Sequence, residues 1–128
     1  MFGKSEAFSG FAVKDIDAAA TFYGETLGLS VTKDDPMPGL LRLHIAGSRD
    51  VLVYVKPDHV PATYTVLNFP VADVEKAVDQ LSAKGIKLEH YGPDFGQNEK
   101  GIARDGQGPA IAWFKDPAGN ILSVLELP

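Results

Sequence analysis

The sequence predicts an α+β fold built from two tandem βαβββ modules, and three observations predict it. The first is an internal repeat. Val13-Lys14-Asp15-Ile16-Asp17-Ala18-Ala19 returns as Val71-Ala72-Asp73-Val74-Glu75-Lys76-Ala77, and Gly28-Leu29 returns as Gly85-Ile86. The second is a helical stripe in each copy. Ile16, Ala19, Ala20, Tyr23 and Leu27 fall on one helix face, and Val74, Ala77, Val78 and Leu81 repeat its first steps. The third is a set of alternating apolar and polar runs bounded by Gly, Pro, Asn and Asp, as in half-buried strands.

Taken in order, the elements are strand 8–13, helix 16–26, and strands 29–34, 40–46 and 50–56. The second copy has strand 64–71, helix 74–84, and strands 86–91, 110–115 and 120–127. Asp15 and Asp73 precede the helical stripes, where a carboxylate accepts from orphan N–H groups and faces the positive helix end. Gly28 and Gly85 stand where a left-handed residue ends a helix. Gly47-Ser48-Arg49-Asp50 breaks one run into a hairpin, and Asp116-Pro117-Ala118-Gly119 turns a second. Trp113 and Phe114 point to opposite sides of their strand, so one of them is core. Asp116 and Asn120 flank the turn and serve its geometry.

The chain reads as a single domain, 1–128, with module one about 1–56, a proline-stiffened linker 57–62, and module two about 63–128. A half of about 60 residues buries too little apolar surface to stand alone, so the two are expected to pack and fold together. Gly92 to Pro109 is long for a connection inside a domain and reads as either a binding lid or a plain surface excursion. Glu99 and Asp105 lie in it as candidate acid/base groups, against the alternative that they are simply solvated.

Composition narrows the function classes. The formal charge of −5 repels phosphate backbones, so no nucleic acid partner is expected. Apolar runs such as Ala110 to Phe114 are far short of the roughly 20 residues that span a bilayer, and no export signal is visible at Met1 to Ser9. A cytoplasmic protein acting on a small molecule or on another protein is the expectation. The absence of cysteine excludes disulfides, thiolate metal sites and a cysteine nucleophile. Gly101 to Gly106 lacks the spacing of a phosphate loop, and no serine sits on a strand-to-helix elbow.

Four stretches carry a family resemblance. They are Val13 to Asp17 with Phe22-Tyr23 and Leu27-Gly28-Leu29; Asn68 to Val74 with Lys84-Gly85-Ile86; Ile111 to Phe114; and Asp116-Pro117-Ala118-Gly119-Asn120. In this order the chain resembles the vicinal oxygen chelate superfamily, which holds glyoxalase I, bleomycin- and fosfomycin-resistance proteins and extradiol dioxygenases. The resemblance implies a curved mixed sheet with helices outside, a ligand in the concave interior, and a homodimer. Its metal-dependent members take ligands from four strand positions, which fall here near Phe8, Tyr54, Val66 and Ser123. Phenylalanine and valine offer no lone pair, and neutral Tyr or Ser oxygens are poor partners for a divalent ion. Neither these residues nor their neighbours supply the usual ligands. His44, His59 and His90 lack the spacing to rebuild a site, so no metal and no cofactor are expected.

Alternation on such a frame turns Arg42 and His44 toward the concave side, with Leu52, Tyr54, Val66, Asn68 and Ser123. The expected ligand pocket is Phe8, Arg42, His44, Leu52, Tyr54, Val66, Asn68, Trp113 and Ser123. Arg42 would neutralise an acidic group, His44 would exchange a proton, Asn68 would donate and accept, and Trp113 would stack on a planar ligand or serve as core. The first reading is a metal-free protein that binds a planar or aromatic compound. The alternative is a lyase, isomerase or dioxygenase-like enzyme, using a divalent metal held by other ligands or His44 as its catalytic acid/base. A regulatory protein with a vestigial pocket stands as a third.

Overall fold

The structure is a computed structural model that describes residues 1–33, 38–104 and 108–127. The chain divides into two compact units, Met1–Pro61 and Ala62–Pro128.

The first unit runs β1 (Gly10–Val13), α1 (Ile16–Ala20), β2 (Ser30–Lys33), β3 (Leu40–His44) and β4 (Val51–Val55), which is the βαβββ order. Its sheet has the order β1-β4-β3-β2, with β1 parallel to β4 and the other pairs antiparallel. Alternation sends Phe11, Val13, Leu41, Leu43, Val51 and Val53 into the core with Ala19, Phe22 and Tyr23. Asp15 caps α1, its carboxylate accepting from the backbone N–H groups of Asp17 and Ala18 at 2.9 and 3.1 Å.

The predicted helix 16–26 changes form halfway. After Ala20 the chain continues as a π-helical segment, Thr21–Thr26, where the Leu27 N–H reaches back five residues to the Phe22 carbonyl. Phe22 and Tyr23 of this segment are both buried, and their rings meet edge-on at 5.2 Å.

The second unit runs β5 (Thr65–Pro70), α2 (Val74–Ala83), β6 (Ile111–Lys115) and β7 (Ile121–Leu125). Its sheet has the order β5-β7-β6, with β5 parallel and β6 antiparallel to β7. Val74, Val78 and Leu81 of α2 are buried, as are Ala112, Phe114, Leu122 and Val124 on alternate sheet positions. Asp73 caps α2 through Lys76 N–H, and the Glu126 carboxylate just past β7 accepts from Val74 N–H at 2.8 Å. Both helix-ending glycines, Gly28 and Gly85, have φ of +81°, as expected.

The predicted strand 86–91 is a correction. Among the described residues it is an isolated bridge, Leu88 to Phe114, with one further bond from Glu89 N–H to the Trp113 carbonyl. The reason is competition by a side chain. Gln97 donates to the Glu89 carbonyl at 2.9 Å and accepts from Tyr91 N–H at 2.6 Å, so these backbone groups are satisfied by Gln97 rather than by a ladder. The mixed α+β class and the duplicated plan stand, with seven strands among the described residues in two sheets of four and three.

Candidate functional site

In the first unit, Leu40, Arg42 and His44 alternate with buried Leu41 and Leu43, and so share the sheet face opposite the core. Register places Arg42 beside Leu52 and Leu40 beside Tyr54. A cavity of about 560 Å³ opens there, lined by Phe8, Leu40, Arg42, Ser48, Arg49, Asp50 and Leu52. Three residues expected of a pocket, Phe8, Arg42 and Leu52, thus come together. Tyr54 is exposed on the same face but does not line this cavity. The cavity joins apolar Phe8, Leu40 and Leu52 with Arg42 and Asp50, while Arg49 pairs with Glu6 at 3.1 Å, a mixed lining that suits a small organic molecule.

His44 stands beside this cavity and is held at both ring nitrogens. Nδ1 lies 3.0 Å from Asp50 Oδ1, and Nε2 lies 2.7 Å from Thr32 Oγ1. Asp50, Ser48 and Arg49 were legible only as a turn. Their approach to His44 and Arg42 comes from the hairpin folding back, which a linear reading does not show.

In the second unit, Asn68, Ser123 and Trp113 form one row across β5, β7 and β6. The row lies on the face opposite Phe114, Leu122 and Val124. Ser123 is fully buried and donates its hydroxyl hydrogen to Asn68 Oδ1 at 2.5 Å. With that oxygen engaged, the exposed Asn68 amide offers its NH2 as the group able to donate to a ligand. Val66 falls at the irregularity between Thr65 and Leu67, outside the paired register.

Trp113 gains aromatic neighbours that the sequence reading missed. Tyr91 meets it edge-on at 5.5 Å, and Phe95, in a 3-10 turn (Pro93–Phe95), packs on Tyr91 at 5.7 Å. Burial, with Glu89 nearby, raises the Tyr91 phenol above its ordinary value of 10.0, so it stays a neutral donor. The loop after Tyr91 is tied down. Gln97 also donates to the Gly101 carbonyl, Ile102 and Ala103 are buried, and Lys100 reaches Glu75 and Asp79 on α2. Of the candidate loop carboxylates, Glu99 is exposed and Asp105 lies outside the described residues.

The four positions matched to metal ligands do not form a donor set. Phe8 is exposed ahead of β1, Tyr54 is a neutral phenol on β4, Val66 has no donor atom, and Ser123 is engaged with Asn68. Among the described residues no three His, Asp or Glu side chains lie close enough together to hold an ion. The side chains at the four matched positions do not offer the donors of the metal that the resemblance implies.

The family model described as "Glyoxalase/Bleomycin resistance protein/Dioxygenase superfamily" matches residues 8–124. No curated protein matches the chain. Among solved structures, the chain is similar to a glyoxalase family protein from Enterococcus faecalis, at 23% identity over 98% of this chain and 100% of that one, with a TM-score of 0.70. It is similar to an antibiotic binding protein from Streptomyces sp. CB03234, at 22% identity over 98% of each chain and a TM-score of 0.67. It is also similar to a lactoylglutathione lyase from Agrobacterium tumefaciens, at 22% identity over 97% of this chain and 95% of that one, with a TM-score of 0.68. At these identities the likeness is one of fold. Among the described residues no helix is long and apolar enough to cross a membrane.

Proposed function

Since the chain belongs to the glyoxalase/bleomycin resistance protein/dioxygenase superfamily, we propose that it binds a planar or aromatic small molecule without a metal ion. The observation that supports this most is the row Asn68–Ser123–Trp113, which sets a hydrogen-bonding amide beside an aromatic cluster. Flat ligand rings gain area and quadrupole contacts from Trp113 and Tyr91, while the Asn68 amide fixes their orientation. The first unit's cavity, taken by itself, combines Arg42 with apolar Phe8, Leu40 and Leu52 and suits an organic acid. The antibiotic binding relative offers a precedent for binding on this fold. A homodimer acting in the cytoplasm is part of the same proposal, and sedimentation measures the assembly.

The test uses the single tryptophan of the chain. Planar aromatic acids and aromatic antibiotics are titrated while Trp113 fluorescence is followed, before and after treatment with EDTA. Saturable quenching that survives the chelator supports the reading. Quenching that disappears with EDTA and returns with a stoichiometric divalent ion overturns its metal-free part. The second reading, an enzyme using His44 as acid/base, is favoured by the contacts of His44 with Asp50 and Thr32. Turnover of a thiol hemiacetal would separate that reading from plain binding.

A further inference from the structure

We propose that Thr32 is an acylatable nucleophile, activated by His44 and positioned through Asp50, with activated carboxylic esters as its substrate class. Three side chains from β2, β3 and the start of the β4 hairpin arm make the constellation. Asp50 Oδ1 lies 3.0 Å from His44 Nδ1, and His44 Nε2 lies 2.7 Å from Thr32 Oγ1. An ionised carboxylate only accepts, so Asp50 requires the hydrogen on Nδ1. The neutral ring then has its lone pair on Nε2, directed at the Thr32 hydroxyl, which donates to it. A hydroxyl bonded to a base that is oriented by a third group is the arrangement that activates oxygen nucleophiles. Two further features point to a substrate. Thr32 is the cross-strand partner of Arg42, so the two side chains leave the same sheet face. Arg42 and Asp50 also line the cavity floored by Phe8, Leu40 and Leu52, which has room for an acyl group.

The step balances without a co-reactant other than water. Thr32 Oγ1 bonds to the ester carbonyl carbon while its proton passes to His44 Nε2. Collapse of the tetrahedral adduct breaks the ester C–O bond, and the leaving oxygen takes that proton. Water then attacks the acyl-threonine and gives a proton to Nε2. The carboxylic acid departs, and Thr32 Oγ1 recovers the proton. Asp50 touches neither substrate nor reacting atoms and is a positioning residue.

The experiment treats the intact chain with p-nitrophenyl acetate, follows nitrophenolate release, and maps the acetyl group by peptide mass. A burst with the acetyl group on Thr32 is expected. Thr32→Val should abolish the burst and Thr32→Ser should keep it. His44→Asn should slow acylation by at least about tenfold. Asp50→Asn should slow it similarly and Asp50→Glu should restore part of the rate, with unchanged circular dichroism throughout. Acetyl groups found only on lysines or the terminal amine, or equal rates for Thr32→Val and the parent, overturn the proposal. Equal rates for Asp50→Asn and the parent overturn the role of Asp50. Ligand binding read at Trp113 is a separate measurement, so loss of one proposal leaves the other standing.

Discussion

Ser123 on β7 gives its hydroxyl hydrogen to Asn68 on the neighbouring parallel strand β5 at 2.5 Å. A buried hydroxyl with no partner costs about 1–3 kcal/mol, so the bond both secures Ser123 and fixes which way the Asn68 amide points. Ser123→Ala removes that constraint with little loss of volume. The Asn68 amide then rotates, and affinity for a planar hydrogen-bonding ligand should fall by about threefold to tenfold, corresponding to a net bond of about 0.5–1.5 kcal/mol. Calorimetric titration of the variant measures it.

Trp113→Ala should weaken the same ligand by about tenfold, because aromatic stacking contributes about 0.5–1.5 kcal/mol beyond buried area. Trp113→Phe should recover part of the affinity, since a flat ring remains beside Tyr91. Competition binding with a fluorescent ligand provides the reading in both variants.

Gln97 holds Glu89, Tyr91 and Gly101 together through three backbone contacts. Gln97→Ala should speed hydrogen exchange at Tyr91 relative to amides of β6. It should also weaken ligand binding, because Tyr91 loses its fixed position beside Trp113. Exchange followed by mass spectrometry, with the ligand titration in parallel, checks both effects.

Asp116 is 5% exposed, and its carboxylate accepts from Ala118 N–H, Asn120 N–H and the Asn120 side-chain amide. Asp116→Ala leaves these donors unsatisfied and should cost about 2–3 kcal/mol, read as a lower urea midpoint. Purified variant that still folds should bind ligand as the parent does, since the turn lies outside the row that carries Trp113.

The Tyr91 phenol is raised above 10.0 by burial and by Glu89, so the folded state holds its proton more tightly than the unfolded chain. The sign follows directly. Its contribution to stability is complete below the ordinary tyrosine value and is lost as pH rises through the folded value. Between neutral pH and about pH 11, the parent should therefore lose more stability than Tyr91→Phe. Urea midpoints of the two proteins across that range give the comparison.

Much of the fold was legible because it rests on local chemistry. Asp15 and Asp73 cap helices wherever an extended residue precedes a helical stripe, and Gly28 and Gly85 end them with positive φ. Alternation separated Phe114 from Trp113 and Leu41 from Arg42, since neighbours in a strand face opposite ways. The same rule set Arg42 with His44 on β3 and Leu52 with Tyr54 on β4.

Partners brought in from a distance were decided by tertiary structure. The π segment, in which Phe22 and Tyr23 are both buried, is not announced by the period of a helix. The strand expected at 86–91 dwindled to a bridge because the Gln97 side chain took its backbone bonds. Asp50 and Thr32 reached His44, Tyr91 reached Trp113 and Phe95 reached Tyr91 only once hairpins and loops had closed. Sequence by itself determined which face each side chain takes, because backbone periodicity is local. Which atoms meet across that face depends on register and loop closure, and only the folded chain decides those.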